Sequence, residues 1–289
     1  MTSTVFLIGA TGHIGRALLD ELSGDLQQGR LRVRVAARSR ESRERILSAG
    51  FEPVPLDLNE PGGFRAALAG SERVFLLRPY TLRHMMMGKQ VIDAAVSAGA
   101  SAIVMLSAYG RADTPWPVIG WQHLVDAYAE RSGLMWTHLR PNYFMDNILA
   151  QRDRATNVIY NSISRPVSWI ASDDIAAVAA AVLRNPQAHA GRAYPLAAVA
   201  SGLDEICVTL SAYTGRPHTH AVPDTARLME RLLAQGREPD YARALIDYID
   251  AVNAGRVPEI ADTCDTVAAV AGRPAMGWVE FFDRHREAL

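Results

Sequence analysis

Short apolar runs and helix-spaced stretches alternate through the first half of the chain. The apolar runs fall at 4–8, 32–36, 52–55, 74–77, 102–106 and 135–139, and helical patterns fill 12–24, 40–49, 60–69, 84–99 and 117–132 between them. Unbroken apolar segments such as Val5-Phe6-Leu7-Ile8 suit strands covered on both faces. Such alternation predicts an α/β fold with a parallel sheet between two helical layers.

The rhythm changes after about residue 150. A weaker strand pair is predicted at 157–160 and 164–169, and a helix over 175–183 capped by Ser172, Asp173 and Asp174, whose side-chain oxygens can take first-turn N–H groups. A short strand is expected at 192–196. The rest, 203–287, reads as mostly helical, with breaks at Gly215-Arg216-Pro217 and Gly272-Arg273-Pro274. The expected division is a first domain over 1–155 and a smaller, mainly helical substrate-binding cap over 156–289 that returns some elements to the first core.

The chain has 289 residues, 49% hydrophobic and 21% charged, ordinary values for a globular protein and not those of disorder or a coiled coil. No apolar stretch reaches the ~18–20 residues of a membrane span. A net charge of −1 provides no basic footprint for nucleic acid or an anionic membrane. The N-terminus lacks the basic and apolar regions of a signal peptide. Cys207 and Cys264 stand 57 positions apart, which excludes a CxxC pair. A reduced, cytoplasmic protein with a small-molecule partner is expected, and a homodimer is compatible. No metal site is expected. Lys89 is the only lysine, so lysine-dependent chemistry would have to use it.

Gly9-Ala10-Thr11-Gly12-His13-Ile14-Gly15 follows the first strand directly and opens a helix. Glycine is needed where the chain turns sharply, where backbone approaches a pyrophosphate, and where helix meets strand. The helix N-terminus then presents free N–H groups and the positive end of its dipole. In this strand–loop–helix context the spacing predicts nucleotide binding on a Rossmann-type, doubly wound parallel sheet. The backbone, more than the His13 ring, is expected to bind. The second strand ends Ala37-Arg38-Ser39, without the acidic residue that usually holds a ribose 2′-hydroxyl. A guanidinium at Arg38, with Ser39 beside it, matches a 2′-phosphate instead, so NADP(H) is expected over NAD(H).

Gly9 to Gly15, Leu56-Asp57-Leu58, Leu106-Ser107-Ala108, the run from Leu139 to Asn147 (LRPNYFMDN) and Asp173-Asp174-Ile175-Ala176 together resemble the NmrA-like branch of the atypical short-chain dehydrogenase/reductase superfamily. Within it the chain is similar to NADPH-dependent quinone reductases and ergot-alkaloid iminium reductases. The resemblance spans essentially the whole chain. It implies that Asp57 and Leu58 border the adenine, and that Leu77, Arg78 and Pro79 line the ribose side. It also implies that Ser107 and Ala108 approach the nicotinamide ribose, and that Pro141, Asn142, Tyr143 and Phe144 approach the nicotinamide amide. Asp57 can alternatively cap a turn, and Phe144 can be core.

Ordinary members of that superfamily use a YxxxK acid pair, and no such motif occurs here. The corresponding window, 117–125, holds neither Tyr nor Lys, and Gln122 stands where some relatives keep a lysine. A glutamine has no proton to give at neutral pH. Either the acceptor needs little acid help, as an electron-poor quinone or iminium would, or another residue donates. His123, Tyr109 and Tyr143 are the candidate donors. Tyr80, Met85 in the run Met85-Met86-Met87, Trp116 and Trp169 are expected to form an adaptable aromatic substrate surface. The expected activity is NADPH-dependent hydride transfer to a quinone, enone or imine/iminium. The alternatives are an NADP(H)-sensing regulatory binding protein without turnover, and a non-redox enzyme (an isomerase or cyclase) on the same fold.

Overall fold

The computed structural model describes residues 2–79, 81–111 and 113–289, without the side chains of Pro61 and His84. Two compact units emerge: 1–108 with 121–140 and 175–194, and 109–120 with 141–174 and 195–289.

The first unit is built on five strand–helix alternations closed by a sixth strand. They run β1 (Ser3–Ile8), α1 (His13–Gln27), β2 (Leu31–Ala37), α2 (Arg40–Ser48), β3 (Glu52–Pro55), α3 (Phe64–Leu68), β4 (Arg73–Leu76), α4 (His84–Ser97), β5 (Ala102–Leu106), α5 (Pro117–Glu130) and β6 (Met135–Pro141). The sheet order is β3-β2-β1-β4-β5-β6, and all five of these neighbour pairs are parallel. The order reverses between β1 and β4, where an open α/β sheet leaves a crevice beyond its strand ends. One face packs Phe6, Ile8, Val74, Leu76, Ile103 and Met105 against Val91, Ile92 and Ala95 of α4 and Val125 of α5. β1 is buried over Val5–Ile8, as its unbroken apolar sequence requires.

The remaining elements are β7 (Tyr143–Phe144), α6 (Asp146–Ala150), β8 (Val158–Tyr160), β9 (Val167–Ile170), α7 (Ser172–Arg184), α8 (Pro186–His189), β10 (Arg192–Leu196), β11 (Val199–Ser201), α9 (Leu203–Thr214), β12 (Thr219–Ala221), α10 (Thr225–Ala234), α11 (Pro239–Asn253), α12 (Thr266–Ala271) and α13 (Trp278–Arg284). β10 joins the large sheet beside β6 as its seventh strand.

Two local expectations are corrected. The strands expected to pair at 157–160 and 164–169 do not meet each other. β8 pairs in parallel with β12, and β9 lies between β11 and β7. Strand partners are chosen by tertiary packing, which sequence proximity does not encode. Asp173 and Asp174 also spend their carboxylates elsewhere than on helix capping. Asp173 holds Arg284 and His285, and Asp174 holds Arg273 at 2.6 Å and the Met276 N–H at 2.8 Å. Helix α7 itself starts at Ser172, whose N–H and hydroxyl both donate to Asp146.

Candidate active site

The loop between β1 and α1 is shaped by contacts that only glycine permits. Gly9 sits at φ +89°, and a Cβ there would stand 2.8 Å from the Leu77 carbonyl oxygen. A Cβ on Gly15 would stand 2.2 Å from the Ala10 Cα, so α1 rests directly on the loop backbone. Gly12 precedes the first turn with no side-chain cap, and a Cβ there would meet only the Gly9 carbonyl oxygen, at 3.9 Å. Thr11, Gly12 and His13 are exposed, whereas Ile14 is buried in the core. Uncapped first-turn N–H groups beside an open backbone arc fit a pyrophosphate by both geometry and dipole. Arg16, which the sequence reading missed, folds back across this loop. Its Nη1 donates to the Thr11 carbonyl at 2.9 Å, and its Nη2 lies 3.4 Å from His13 Nδ1. Its place one turn into α1 is the signal that could have found it.

Four of the expected cofactor residues stand beyond the ends of β2 and β3. Arg38 is exposed just beyond β2. Ser39 caps α2, with its Oγ accepting the Ser42 N–H at 3.1 Å. The Asp57 carboxyl is held below its usual range, first by the Asn59 backbone N–H at 2.9 Å, with the Arg38 charge adding to the effect. Leu58 packs against the core edge. Arg38 and Asp57 therefore share one electrostatic neighbourhood at the ends of β2 and β3.

On the β4–β5 side, Leu77 stays partly exposed and Pro79 exposed. Arg78 turns inward: it is 4% exposed, and its Nη2 donates to Gln122 Oε1 at 2.8 Å. Ser107 also points inward. Its hydroxyl donates to Asp126 Oδ2 at 2.7 Å, and Arg140 donates to the same oxygen at 3.0 Å. Ser107 and Arg78 can thus reach the crevice through their main chains, because their side chains are committed beneath it. Burial lowers His138, stacked on Trp136, so the ring beside Asp126 stays neutral despite that carboxylate. His123 Nε2 lies 3.2 Å from the Ala108 carbonyl oxygen, which can only accept, so the ring presents Nε2–H to it. Met85 packs partly buried against the core.

In the second unit, Asn142 is a fastener. Its Nδ2 donates to Ser168 and to the Ile260 carbonyl, and its Oδ1 accepts from the Tyr143 N–H. Both Nδ2 hydrogens are thus engaged within the second unit. Pro141 is buried, and Tyr143 and Phe144 are partly exposed on β7. Trp169 is fully buried, gives its indole N–H to the Ser201 carbonyl, and packs between Tyr143 and Trp278. It is a wall behind Tyr143 and not an open surface. Trp116 meets Tyr248 edge-on at 6.3 Å, with the Arg256 guanidinium over its ring. Tyr248 was missed because on α11 it reads as one more core position of an amphipathic helix. Burial raises the Tyr109 phenol above its ordinary value, and Asp262, Cys264 and Glu259 add to the shift. Burial raises Tyr143 and Tyr248 further. All three phenols hold their protons at neutral pH. Tyr80 lies outside the described residues. Among the described residues no group of three His, Cys, Asp or Glu side chains could hold a metal, and no helix is long and apolar enough to cross a membrane.

Residues 9–186 match the model of a family described as NAD(P)H-binding. An NAD(P)H azoreductase of Xenophilus azovorans is 32% identical, over 99% of both chains. Triphenylmethane reductase of a Citrobacter species, solved with NADP(H), superposes with a TM-score of 0.80 at 20% identity, covering 99% of this chain and 100% of that one. NADPH-dependent quinone oxidoreductase of Escherichia coli, solved with NADPH, gives 0.79 at 21% identity over 98% and 99%.

Proposed function

The chain belongs to the NAD(P)H-binding family, and we propose that within it the protein is an NADPH-dependent reductase of electron-poor small molecules: quinones, enones, or imines and iminium ions. The observation that carries this reading is the union of the glycine-only phosphate loop with Arg38 beyond β2, where an acidic residue would favour a free ribose hydroxyl. When bound, a reduced nicotinamide supplies the hydride. The 32% identical azoreductase, aligned end to end, supports redox turnover over mere binding.

The residues divide the remaining work. The loop N–H groups and Arg16 hold the pyrophosphate, and Arg38 holds the 2′-phosphate. Tyr109 follows Ala108 directly past β5 and keeps its proton at neutral pH, so it is the donor this reading favours. His123 steadies the Ala108 carbonyl. Gln122 accepts from Arg78 and has no proton to transfer. The cap over 156–289 binds the substrate in this reading.

The test mixes the purified protein with NADPH, and separately NADH, against a panel of quinones, cyclic imines and enones. Oxidation of NADPH with any class, faster than of NADH, is the expected result. Tight NADPH binding without oxidation on every acceptor would overturn the reductase reading.

A further inference from the structure

Arg78 stands two residues beyond the end of β4, at the point where the strand order reverses. Its guanidinium does not face solvent. It is buried between α4 and α5, donates to Gln122 Oε1 at 2.8 Å and reaches toward the Leu106 carbonyl at 3.4 Å. Space is made for it. A Cβ on Gly88 of α4 would stand 2.9 Å from Arg78 Nη1 and 2.6 Å from Val125 Cγ1 of α5. A full cation is therefore seated in a glycine-made niche under the carboxyl ends of β4 and β5.

Topology says what lies above it. Arg38 and Asp57 mark the ends of β2 and β3 as the adenine side, so the nucleotide's other end extends over β4 and β5. An arginine keeps its charge across the whole working pH range. At low dielectric such a fixed charge acts strongly on any charge that develops nearby.

We propose that the Arg78–Gln122 pair is an electrostatic floor that selects neutral hydride acceptors, which become anions, over cationic ones. This inference rests on the reductase reading and narrows its substrate class. A neutral quinone, enone or azo compound gains a hydride from the reduced nicotinamide and becomes an anion. It then takes one proton to complete a two-electron reduction. A cationic acceptor gains the same hydride and becomes neutral, with no proton needed. A fixed cation favours the first change and disfavours the second. Arg78 acts across the floor of the site, and Gln122 is the positioning residue that orients it.

The test compares 1,4-naphthoquinone with N-methylacridinium as acceptors for NADPH, in the wild type, Arg78→Met and Arg78→Lys. Alongside, calorimetry on the NADP⁺-loaded protein measures affinity for 2-naphthoate and N-methylquinolinium, which react with neither form. The wild type is expected to bind the anion more tightly. Arg78→Met is expected to lower the quinone-to-acridinium ratio of kcat/KM at least tenfold and to shift the two affinities in opposite directions. Arg78→Lys is expected to restore most of the ratio. Equal wild-type affinities for the two ions overturn the proposal, and that result needs no variant to fold. Equal loss on both acceptors in Arg78→Met also overturns it, because that is what a packing role would produce. An Arg78-dependent binding bias without turnover on any acceptor would sink the reductase reading and leave the charge assignment standing. Turnover without bias would do the reverse.

Discussion

A Cβ on Gly15 would lie 2.2 Å from the Cα of Ala10, so the first helix is seated on the phosphate loop with no room for one methyl group. Gly15→Ala must move backbone against backbone and is expected to cost about 2–3 kcal/mol or more. NADPH affinity should fall more than tenfold with it. Gly24, on the same helix, has nothing within 4 Å of its Cβ position. Gly24→Ala should therefore stabilise by about 0.5–1 kcal/mol, by removing backbone freedom from the unfolded chain. Thermal melts of the two variants should move in opposite directions. Equal destabilisation would contradict the packing described.

In the proposed reading Arg38 supplies the contact that discriminates the 2′-phosphate. Arg38→Ala is expected to weaken NADPH binding by one to two orders of magnitude, roughly 1.5–3 kcal/mol for a charge-assisted pair. NADH binding should hardly change. Parallel calorimetric titrations read both, and matched losses would remove the 2′-phosphate role.

Tyr109 and His123 make opposite predictions as donors. Burial and nearby Asp262, Cys264 and Glu259 hold the Tyr109 phenol above its ordinary value, so its acid form persists from pH 6 to 9. Tyr109→Phe should slow turnover of a neutral acceptor about 10²-fold or more. His123→Gln can still donate to the Ala108 carbonyl and should leave the pH profile flat. A profile that bends near pH 6.5 and straightens in His123→Gln would transfer the role to His123.

Asp25 ties two helices of the first unit, bonding Arg30 at 2.7 Å and Arg184 of α7 at 2.8 Å. Burial works to raise its carboxyl, but the two guanidiniums outweigh it and the net shift is downward. A depressed folded-state value contributes stability above the unfolded carboxyl's pKa of about 4 and loses it as pH falls through the folded value. Asp25→Asn should cost about 1.5–3 kcal/mol at pH 7. The gap from wild type should narrow as pH falls below about 4 in denaturant midpoints. A gap that stays constant with pH would show that the carboxylate charge contributes nothing.

The order of elements through residue 141 was legible because its causes are local. Short unbroken apolar runs between turn signals suit strands covered on both faces, and the glycines of 9–15 sit at a turn, an open arc and a helix contact within seven residues. The position of Arg38 was legible for the same reason, being set by the end of its own strand. The directions of side chains beyond the strands were not local. Arg78 and Ser107 sit at the expected strand ends, yet both turn inward because Gln122 and Asp126 wait on α5, 44 and 19 positions away. Asp173 and Asp174 read as caps by the grammar of a first turn, but are claimed by Arg284, His285 and Arg273 about a hundred positions on. The pairing of β8 with β12 spans some sixty residues of intervening chain. Periodicity and turn chemistry report what a segment can do alone. Which partner a charge or strand edge meets is settled only when distant segments are packed together, and there a buried polar group takes whatever donor or acceptor the fold brings within 3 Å.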